Sequence, residues 1–336
     1  MKKIRVALIG FGGIARIHNN AYRQLEMEGC PIELVAVCEK NVESVKKSVT
    51  INLGNDTESL SDSVRIYADA DELLKNEEFE LADICLPTFL HKDMTLKFLR
   101  SGKHVLCEKP MALTSSECEE MVKAARKNGL RLMIGQCLRF DHYYLYLKKC
   151  YEERPFGELK FMTMHRLSEY PRWSPAFADL EKTGGCILDT HIHDIDVARM
   201  VFGEPRSVSA LAYNKMPYCQ VVNSRLDYEG FSVIADCCWD ESREKPFEAG
   251  FRAIFERATV VCDGEKIKIF VNGEAPYVEE LTPTDRIKDE IFEICRLISD
   301  QSEDDSHNPP ESACESVKLV EKLKESAARG GVTIKV

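Results

Sequence analysis

Long hydrophobic runs are missing from this sequence: no stretch approaches the roughly 18 uninterrupted apolar residues that a membrane-spanning helix needs. Blocks of lysine and arginine are missing too. Of 336 residues, 56 are acidic and 45 basic, a net charge of −11. Such a chain repels phosphate backbones and anionic lipid surfaces at long range, so neither nucleic acid nor a membrane is expected as a partner. None of the 14 cysteines stands in a Cys-x-x-Cys pair. Cys38, Cys85, Cys107 and Cys262 lie inside apolar runs. That is how buried free thiols are placed in a reducing compartment, not how a disulfide framework is spaced, and the cytoplasm is the expected location. Internal repeats and low-complexity tracts are absent. Met1–Ile9 begins with the charge and apolarity of a signal peptide, but the run breaks at once into glycines and reads as the first strand of an ordered fold.

What is present suits two domains. At roughly 150 residues each, the length allows two, and 44 % apolar with 30 % charged residues supplies a core for both. Up to Gln136, short apolar runs alternate with amphipathic stretches. Strands are predicted at Ile4–Ile9, Glu33–Cys38, Arg65–Tyr67, Ala82–Leu86, His104–Cys107 and Arg131–Ile134. Helices are predicted at Ile14–Glu26, Val42–Leu53, Ala70–Lys75, Lys92–Arg100 and Ser115–Asn128. Thr114 with Glu117 offers a capping box, and Asn128-Gly129 a helix end. This alternation implies an α/β domain over 1–136, a Rossmann-type doubly wound parallel sheet. Beyond it, a helix at Tyr143–Glu153 leads into longer alternating segments: Leu159–Leu167, Val208–Tyr213, Gln220–Tyr228, Phe231–Trp239, Phe251–Phe255, Thr259–Cys262 and Lys266–Val271. A helix at Ile192–Phe202 interrupts them, and helices at Arg286–Ser299 and Pro310–Arg329 follow. An α+β domain over 137–336, built on a mostly antiparallel open sheet, is the expectation, with its last helix packing back on the first domain. Residues 299–309, rich in Ser, Asp and Glu, read as a solvated loop.

The first strand runs directly into Gly10-Phe11-Gly12-Gly13-Ile14-Ala15. Gly10 permits a tight turn, Gly12 lets backbone approach a pyrophosphate, and Ala15 allows close helix–strand packing. The N–H groups of the new helix then face the pyrophosphate, with the helix dipole favouring negative charge. The second strand ends at Glu39, whose carboxylate accepts hydrogen bonds from ribose hydroxyls and repels a 2′-phosphate. NAD is therefore the expected cofactor, with NADP kept possible by the neighbouring Lys40.

Three polar segments follow the fourth, fifth and sixth strands, where a doubly wound sheet gathers its ligands. They are Leu86-Pro87-Thr88-Phe89-Leu90-His91, Cys107-Glu108-Lys109-Pro110 and Gly135-Gln136-Cys137-Leu138-Arg139-Phe140. A fourth lies in the second domain: Gly184-Gly185-Cys186-Ile187-Leu188-Asp189-Thr190-His191-Ile192-His193-Asp194-Ile195-Asp196. In this order and spacing, with Ser101–Pro110, the chain resembles over essentially its whole length the glucose–fructose oxidoreductase, inositol dehydrogenase and MocA family. The resemblance implies an NAD(P)-dependent oxidoreductase acting on a sugar, inositol or related polyol. It implies that Lys109 contacts substrate beside the nicotinamide and that Asp189 and His193 bind and deprotonate the reacting hydroxyl. It places Glu108, His91 and Gln136 along the cofactor, and Pro87 and Thr88 join that set by their position after the fourth strand. It further implies a cis Lys109–Pro110 bond and a homodimer or homotetramer joined through the second-domain sheet.

The chemistry of these residue types agrees. Oxidising a secondary alcohol sends a hydride to the nicotinamide and a proton to a base. Histidine titrates near neutrality, so His193 qualifies as the base. A cationic Lys109 stabilises alkoxide character on the substrate oxygen. Asp189 accepts a substrate hydroxyl or orients His193; on a single helical turn their i, i+4 spacing puts both on one face. Which of Lys109 and His193 takes the proton stays open. Arg139, Arg166 and Trp173 complete the substrate-binding set with Lys109, Asp189 and His193. The competing assignments are an ion pair for Arg139, a helix cap for His91, and ordinary sheet or loop positions for Arg166, Tyr170 and Trp173. His191-x-His193 with Asp189 and Asp194 brings zinc-type ligands together, but no further ligand set accompanies them and no metal is expected. Glycine is frequent in the family at the place of His191, a departure that bears on the pocket's shape. Two other functions share such a scaffold: an NAD-dependent glycosidase with transient oxidation, and a non-catalytic dinucleotide-binding sensor or co-repressor. The presence of Lys109, Asp189 and His193 weighs against the latter.

Overall fold

The computed structural model describes residues 2–45, 60–172, 175–213, 220–302 and 304–336. Its elements, in chain order, begin with β1 (Ile4–Ile9), α1 (Gly13–Met27), β2 (Ile32–Cys38), α2 (Val42–Val45), β3 (Arg65–Tyr67), α3 (Ala70–Asn76), β4 (Leu81–Ile84), α4 (His91–Arg100), β5 (His104–Glu108), α5 (Ser115–Asn128) and β6 (Leu132–Gly135). They continue with α6 (His142–Glu153), β7 (Leu159–Leu167), α7 (Leu180–Thr183), α8 (Cys186–Asp189), α9 (Ile192–Phe202), β8 (Ser207–Tyr213), β9 (Val221–Asp227) and β10 (Ser232–Cys238). Then come β11 (Glu248–Phe255), β12 (Ala258–Cys262), β13 (Ile267–Val271), β14 (Tyr277–Glu279), α10 (Arg286–Ser299), α11 (Pro310–Ala328) and β15 (Ile334–Lys335). Two compact units result. The first is built from described residues of Met1–Cys137 and Asp285–Cys314, the second from those of Leu138–Arg172, Phe177–Thr284 and Glu315–Val336.

In the first unit six strands pair in the order β3-β2-β1-β4-β5-β6, every pairing parallel. β4 is buried along its whole length, and β1 and β5 at all but one residue. A sheet covered on both faces demands such unbroken apolar runs. The order turns back on itself between β1 and β4, which makes the C-terminal ends of those strands the natural ligand position. Local caps set the helix lengths. Thr114 and Glu117 exchange the two bonds of a capping box, and Gly129, at φ 64°, ends α5. α10 packs on α1 and buries Ile287, Ile291 and Ile294, each worth roughly 1.5–3 kcal/mol when taken from water. Of the helix expected at Val42–Leu53, Val42–Val45 is helical and residues 46–53 lie outside the described residues.

The loop after α10 is largely exposed, as expected, with one buried anchor. Asn308, 3 % exposed, donates from Nδ2 to the Ile134 carbonyl at 2.8 Å. Asp305 and Glu311 accept from Arg126, and the Ser302 carbonyl accepts from Arg131. Asp305 and Glu311 meet one arginine of the same unit, Arg126, a pairing no local pattern reveals.

In the second unit nine strands form one sheet in the order β14-β13-β12-β11-β7-β10-β9-β8-β15. All pairings are antiparallel except β7 with β10. Burial alternates along the strands, as in β10 and β9, so one face packs and the other stays open. The open face carries Phe161, Ile234, Leu211, Tyr213 and Phe270, the last three exposed. α7, α8, β14 and β15 span two to four residues each, too short for a hydrophobic period to register. Among the described residues thirteen cysteines are free thiols, of which Cys30 and Cys238 are half-buried and the rest buried. None of the described helices is long and apolar enough to cross a membrane.

Candidate active site

The glycine loop leaves β1 at Gly10, whose φ is +88°. A Cβ there would stand 2.7 Å from the Cys85 carbonyl oxygen, so only glycine makes this turn. Gly12 is exposed and a Cβ on it would meet open space, which leaves its backbone approachable. Gly13 and Ile14 open α1 half-buried, and Ala15 is fully buried against the sheet. Glu39 stands beside the loop: Oε2 accepts from Phe11 N at 2.9 Å and Oε1 from Asn41 N at 2.9 Å. Each oxygen keeps a lone pair for a ribose hydroxyl. Beneath the loop the Arg16 guanidinium lies 4.6 Å from the centre of the Phe11 ring and donates to the Ser44 carbonyl at 3.0 Å. Arg16 escaped the sequence reading because its partner carbonyl is 28 residues away.

Past β4, Pro87 is half-buried and Thr88 buried, at the start of a short 3-10 turn. His91 opens α4 with its ring buried, Nδ1 2.8 Å from the Pro110 carbonyl and Nε2 2.7 Å from the Leu86 carbonyl. Burial pulls its pKa down, so the ring carries one proton near neutrality and donates to one carbonyl at a time. His91, expected along the cofactor, thus has both ring nitrogens within hydrogen-bond distance of backbone carbonyls and links the segments on either side. After β5, Glu108 Oε2 accepts from Lys109 N at 3.0 Å, and its Oε1 lies 3.1 Å from His18 Nε2. Glu108 therefore braces the segment that carries Lys109. Lys109 is half-buried, and its bond to Pro110 is cis, as the resemblance implies. Gln136, 2 % exposed, holds a buried Nε2 with no hydrogen-bond partner among the described residues. Such an orphan costs about 1–3 kcal/mol unless a ligand meets it. The open backbone at Gly12, the acceptor pair of Glu39 and the orphan amide of Gln136 together fit a bound dinucleotide.

In the second unit the expected single turn from Asp189 to His193 is broken. Asp189 is the last residue of α8, and α9 starts at Ile192. At the break, Trp239 Nε1 donates to Thr190 Oγ1 at 2.7 Å, and Thr190 Oγ1 donates to Asp189 Oδ2 at 3.2 Å. This chain aims Asp189, and neither Thr190 nor Trp239 was singled out from the sequence. Asp189, Thr190 and His193 are half-buried, while the other polar groups of the segment turn inward. His191 Nε2 lies 2.7 Å from Ser224 Oγ. Asp194 Oδ1 accepts from Arg166 Nη2 at 3.0 Å, and that nitrogen also donates to Tyr144 Oη at 3.1 Å. Burial raises the Tyr144 pKa to about 12, which keeps its hydroxyl neutral beside the pair. Asp196 accepts from Arg139 Nε at 2.7 Å and Nη2 at 2.8 Å, and from Ser316 Oγ at 2.8 Å. Arg139 and Arg166, expected at the substrate, are corrected to buried ion pairs: a guanidinium out of water needs a carboxylate, and each has one. Trp173 lies outside the described residues. The expected site residues thus fall into two sets. The first unit holds Gly10–Ala15, Glu39, Pro87, Thr88, Lys109 and Gln136, and the second holds Asp189 and His193.

Known proteins give these features a common setting. Inositol 2-dehydrogenase from Rhizobium meliloti is 28 % identical over 232 residues, 69 % of this chain and 64 % of that protein. D-glucoside 3-dehydrogenase from Escherichia coli is 29 % identical over 225 residues, 63 % of this chain and 58 % of that protein. The matches cover between 54 % and 64 % of the length of such curated relatives. The structure of aldose-aldose oxidoreductase from Caulobacter crescentus complexed with glycerol shares the fold at a TM-score of 0.84, with 21 % identity and full coverage of both chains. Residues 4–136 match the oxidoreductase family described by its NAD-binding Rossmann fold, and residues 144–268 match the C-terminal domain of the same family. With both halves matched in order, this chain belongs to the glucose–fructose oxidoreductase, inositol dehydrogenase and MocA family of NAD-binding oxidoreductases.

Proposed function

We propose that this chain is a dehydrogenase that oxidises a secondary hydroxyl of a sugar, inositol or related polyol, with NAD preferred over NADP. When bound, NAD supplies the hydride acceptor. Gly10–Ala15, Glu39, Pro87, Thr88 and Gln136 hold the dinucleotide. Lys109 stabilises negative charge on the substrate oxygen, Asp189 accepts a substrate hydroxyl, and His193 takes the proton. One observation carries this reading: in Asp189–Asp196 the side chains of His191, Asp194 and Asp196 are buried, whereas those of Asp189, Thr190 and His193 are half-buried. A segment kept for structure alone has no reason to leave a carboxylate and an imidazole at its surface while it buries its other charges.

A panel of sugars and polyols with NAD and NADP, read at the reduced-nicotinamide absorbance, tests it. Turnover with at least one polyol is expected. Release of sugar from an aryl glycoside without accumulation of NADH would replace it with the transient-oxidation glycosidase. Cofactor binding with no turnover on the whole panel would replace it with a sensor. Within the same assay Glu39→Ala is expected to raise the KM for NAD. Two hydrogen bonds to a charged group are at stake, and losing one is worth about 1.5–3 kcal/mol, roughly 10–150-fold. The preference for NAD over NADP should narrow at the same time, because the repulsion of a 2′-phosphate goes with the carboxylate. An unchanged KM for both cofactors would remove Glu39 from the ribose.

The half-apolar open face of the nine-stranded sheet supports a homodimer or homotetramer joined there. The buried free thiols support a reducing, cytoplasmic setting.

A further inference from the structure

Behind the glycine loop the first unit buries a group of ionisable side chains that the proposed chemistry does not use. His18 on α1, Asp83 on β4 and Glu290 on α10 are 0 % exposed, and Glu108 at the end of β5 is 6 % exposed. His18 is the centre. Its Nδ1–H donates to Asp83 Oδ2 at 2.8 Å, and the same oxygen accepts from Tyr22 Oη at 2.8 Å. With Nδ1 so engaged, Nε2 faces the other way. There Nε2 stands 3.1 Å from Glu108 Oε1. The third member is Glu290: among the described residues neither of its carboxylate oxygens has a hydrogen-bond partner, although both are buried. One atom each from His18, Glu108 and Glu290 lies within 4.8 Å of the others.

Three carboxylates around a single imidazole, out of water, are electrostatically incomplete. Burying a carboxylate without hydrogen bonds is costly, and Glu290 has none among the described residues. Donor chemistry and spacing point to what completes the group. A tetrahedral zinc with ligands at about 2.0–2.2 Å separates neighbouring donor atoms by about 3.3 Å, close to the 3.1 Å between His18 and Glu108. A histidine that ligates through one nitrogen characteristically donates from the other to a carboxylate, which is the part Asp83 plays. One nitrogen and two carboxylate ligands suit a borderline divalent transition ion better than calcium or magnesium, which take oxygen alone.

We propose that His18 Nε2, Glu108 and Glu290 bind one divalent transition-metal ion, with Asp83 as the outer partner of His18. The ion ties α1, β5 and α10 together within the first unit. It is a site distinct from the half-exposed Asp189 and His193, and its role is structural: it holds Glu108, which in turn holds the Lys109 backbone. The occupant that competes with it is a proton on Glu290.

The test uses the full chain, freed of any metal-binding tag and desalted through chelating resin. Elemental analysis is expected to find about one equivalent of a divalent transition metal per chain. In chelator-stripped protein, added zinc is expected to raise the Tm by several degrees through linkage to the folded state. Glu290→Leu and His18→Gln are each expected to abolish both the bound metal and the zinc-dependent shift. Two variants guard against loss of either one to misfolding; the wild-type measurements depend on neither. Absence of metal from the wild type, with no Tm response to zinc or manganese, would overturn the proposal and leave the proton. Metal retained in Glu290→Leu would overturn it equally, by placing the ion elsewhere.

Discussion

Lys109→Ala and His193→Ala are each expected to lower kcat by about 10²- to 10⁴-fold, the range that a positioned acid, base or charge stabiliser contributes. Both side chains are half-buried, so neither truncation opens a core cavity, and the Tm should move little beside the loss of turnover. The two variants should differ in their pH profiles. A base must be unprotonated to act, so wild-type kcat/KM is expected to fall as pH drops through the histidine range near 6.5. If His193 is that base, the acid limb disappears in His193→Ala and persists in Lys109→Ala. The reverse pattern assigns the proton to Lys109. Normal turnover in both variants would defeat the proposed roles altogether.

Asp196→Ala should do the opposite: large damage to stability, arising away from the chemistry. Asp196 is 1 % exposed, and it is the two-pronged acceptor for Arg139, itself 3 % exposed. Removing the carboxylate strands a guanidinium out of water, which costs about 3–5 kcal/mol. At roughly 2–4 °C per kcal/mol for a unit of this size, the Tm should fall by about 6–20 °C. Ser316 loses its acceptor as well. The double variant Arg139→Met with Asp196→Leu should recover most of the loss, because replacing both partners of a buried pair by apolar groups is often neutral. An unchanged Tm with a raised substrate KM would return Arg139 to the substrate site.

The outcome for Arg139 shows where reading a sequence stops. The parallel sheet was legible because burial on both faces forces short, mostly apolar runs, and Ile4–Ile9 emerges with the bounds its pattern predicts. The capping box at Thr114 and Glu117 was legible because both halves sit in four consecutive residues. The cis bond at Lys109 came from family resemblance, not from pattern. Partnerships across the fold left no local trace. Arg139 finds Asp196 57 residues on, and Arg166 finds Asp194 28 residues on. The spacing of Asp189 and His193 suggested one helix, and only the Trp239–Thr190 hydrogen bond explains why the chain breaks there. The cluster around His18 spans residues 18 to 290. Its one signal was a histidine on the apolar face of α1, and nothing in the sequence says which carboxylates face it.

The nine-stranded sheet ends on β14 and β15, three and two residues long. Strand addition needs a row of free N–H and C=O groups along a sheet edge, and edges this short offer hardly any. A terminal strand of two or three residues therefore gives an extended peptide only a short template for pairing. Self-recognition is confined to side-chain fit across the face, where an error in register is punished by a mismatch of shape instead of being propagated along a ladder. A wide sheet that ends on short strands thus depends more on its faces than on its edges for recognition.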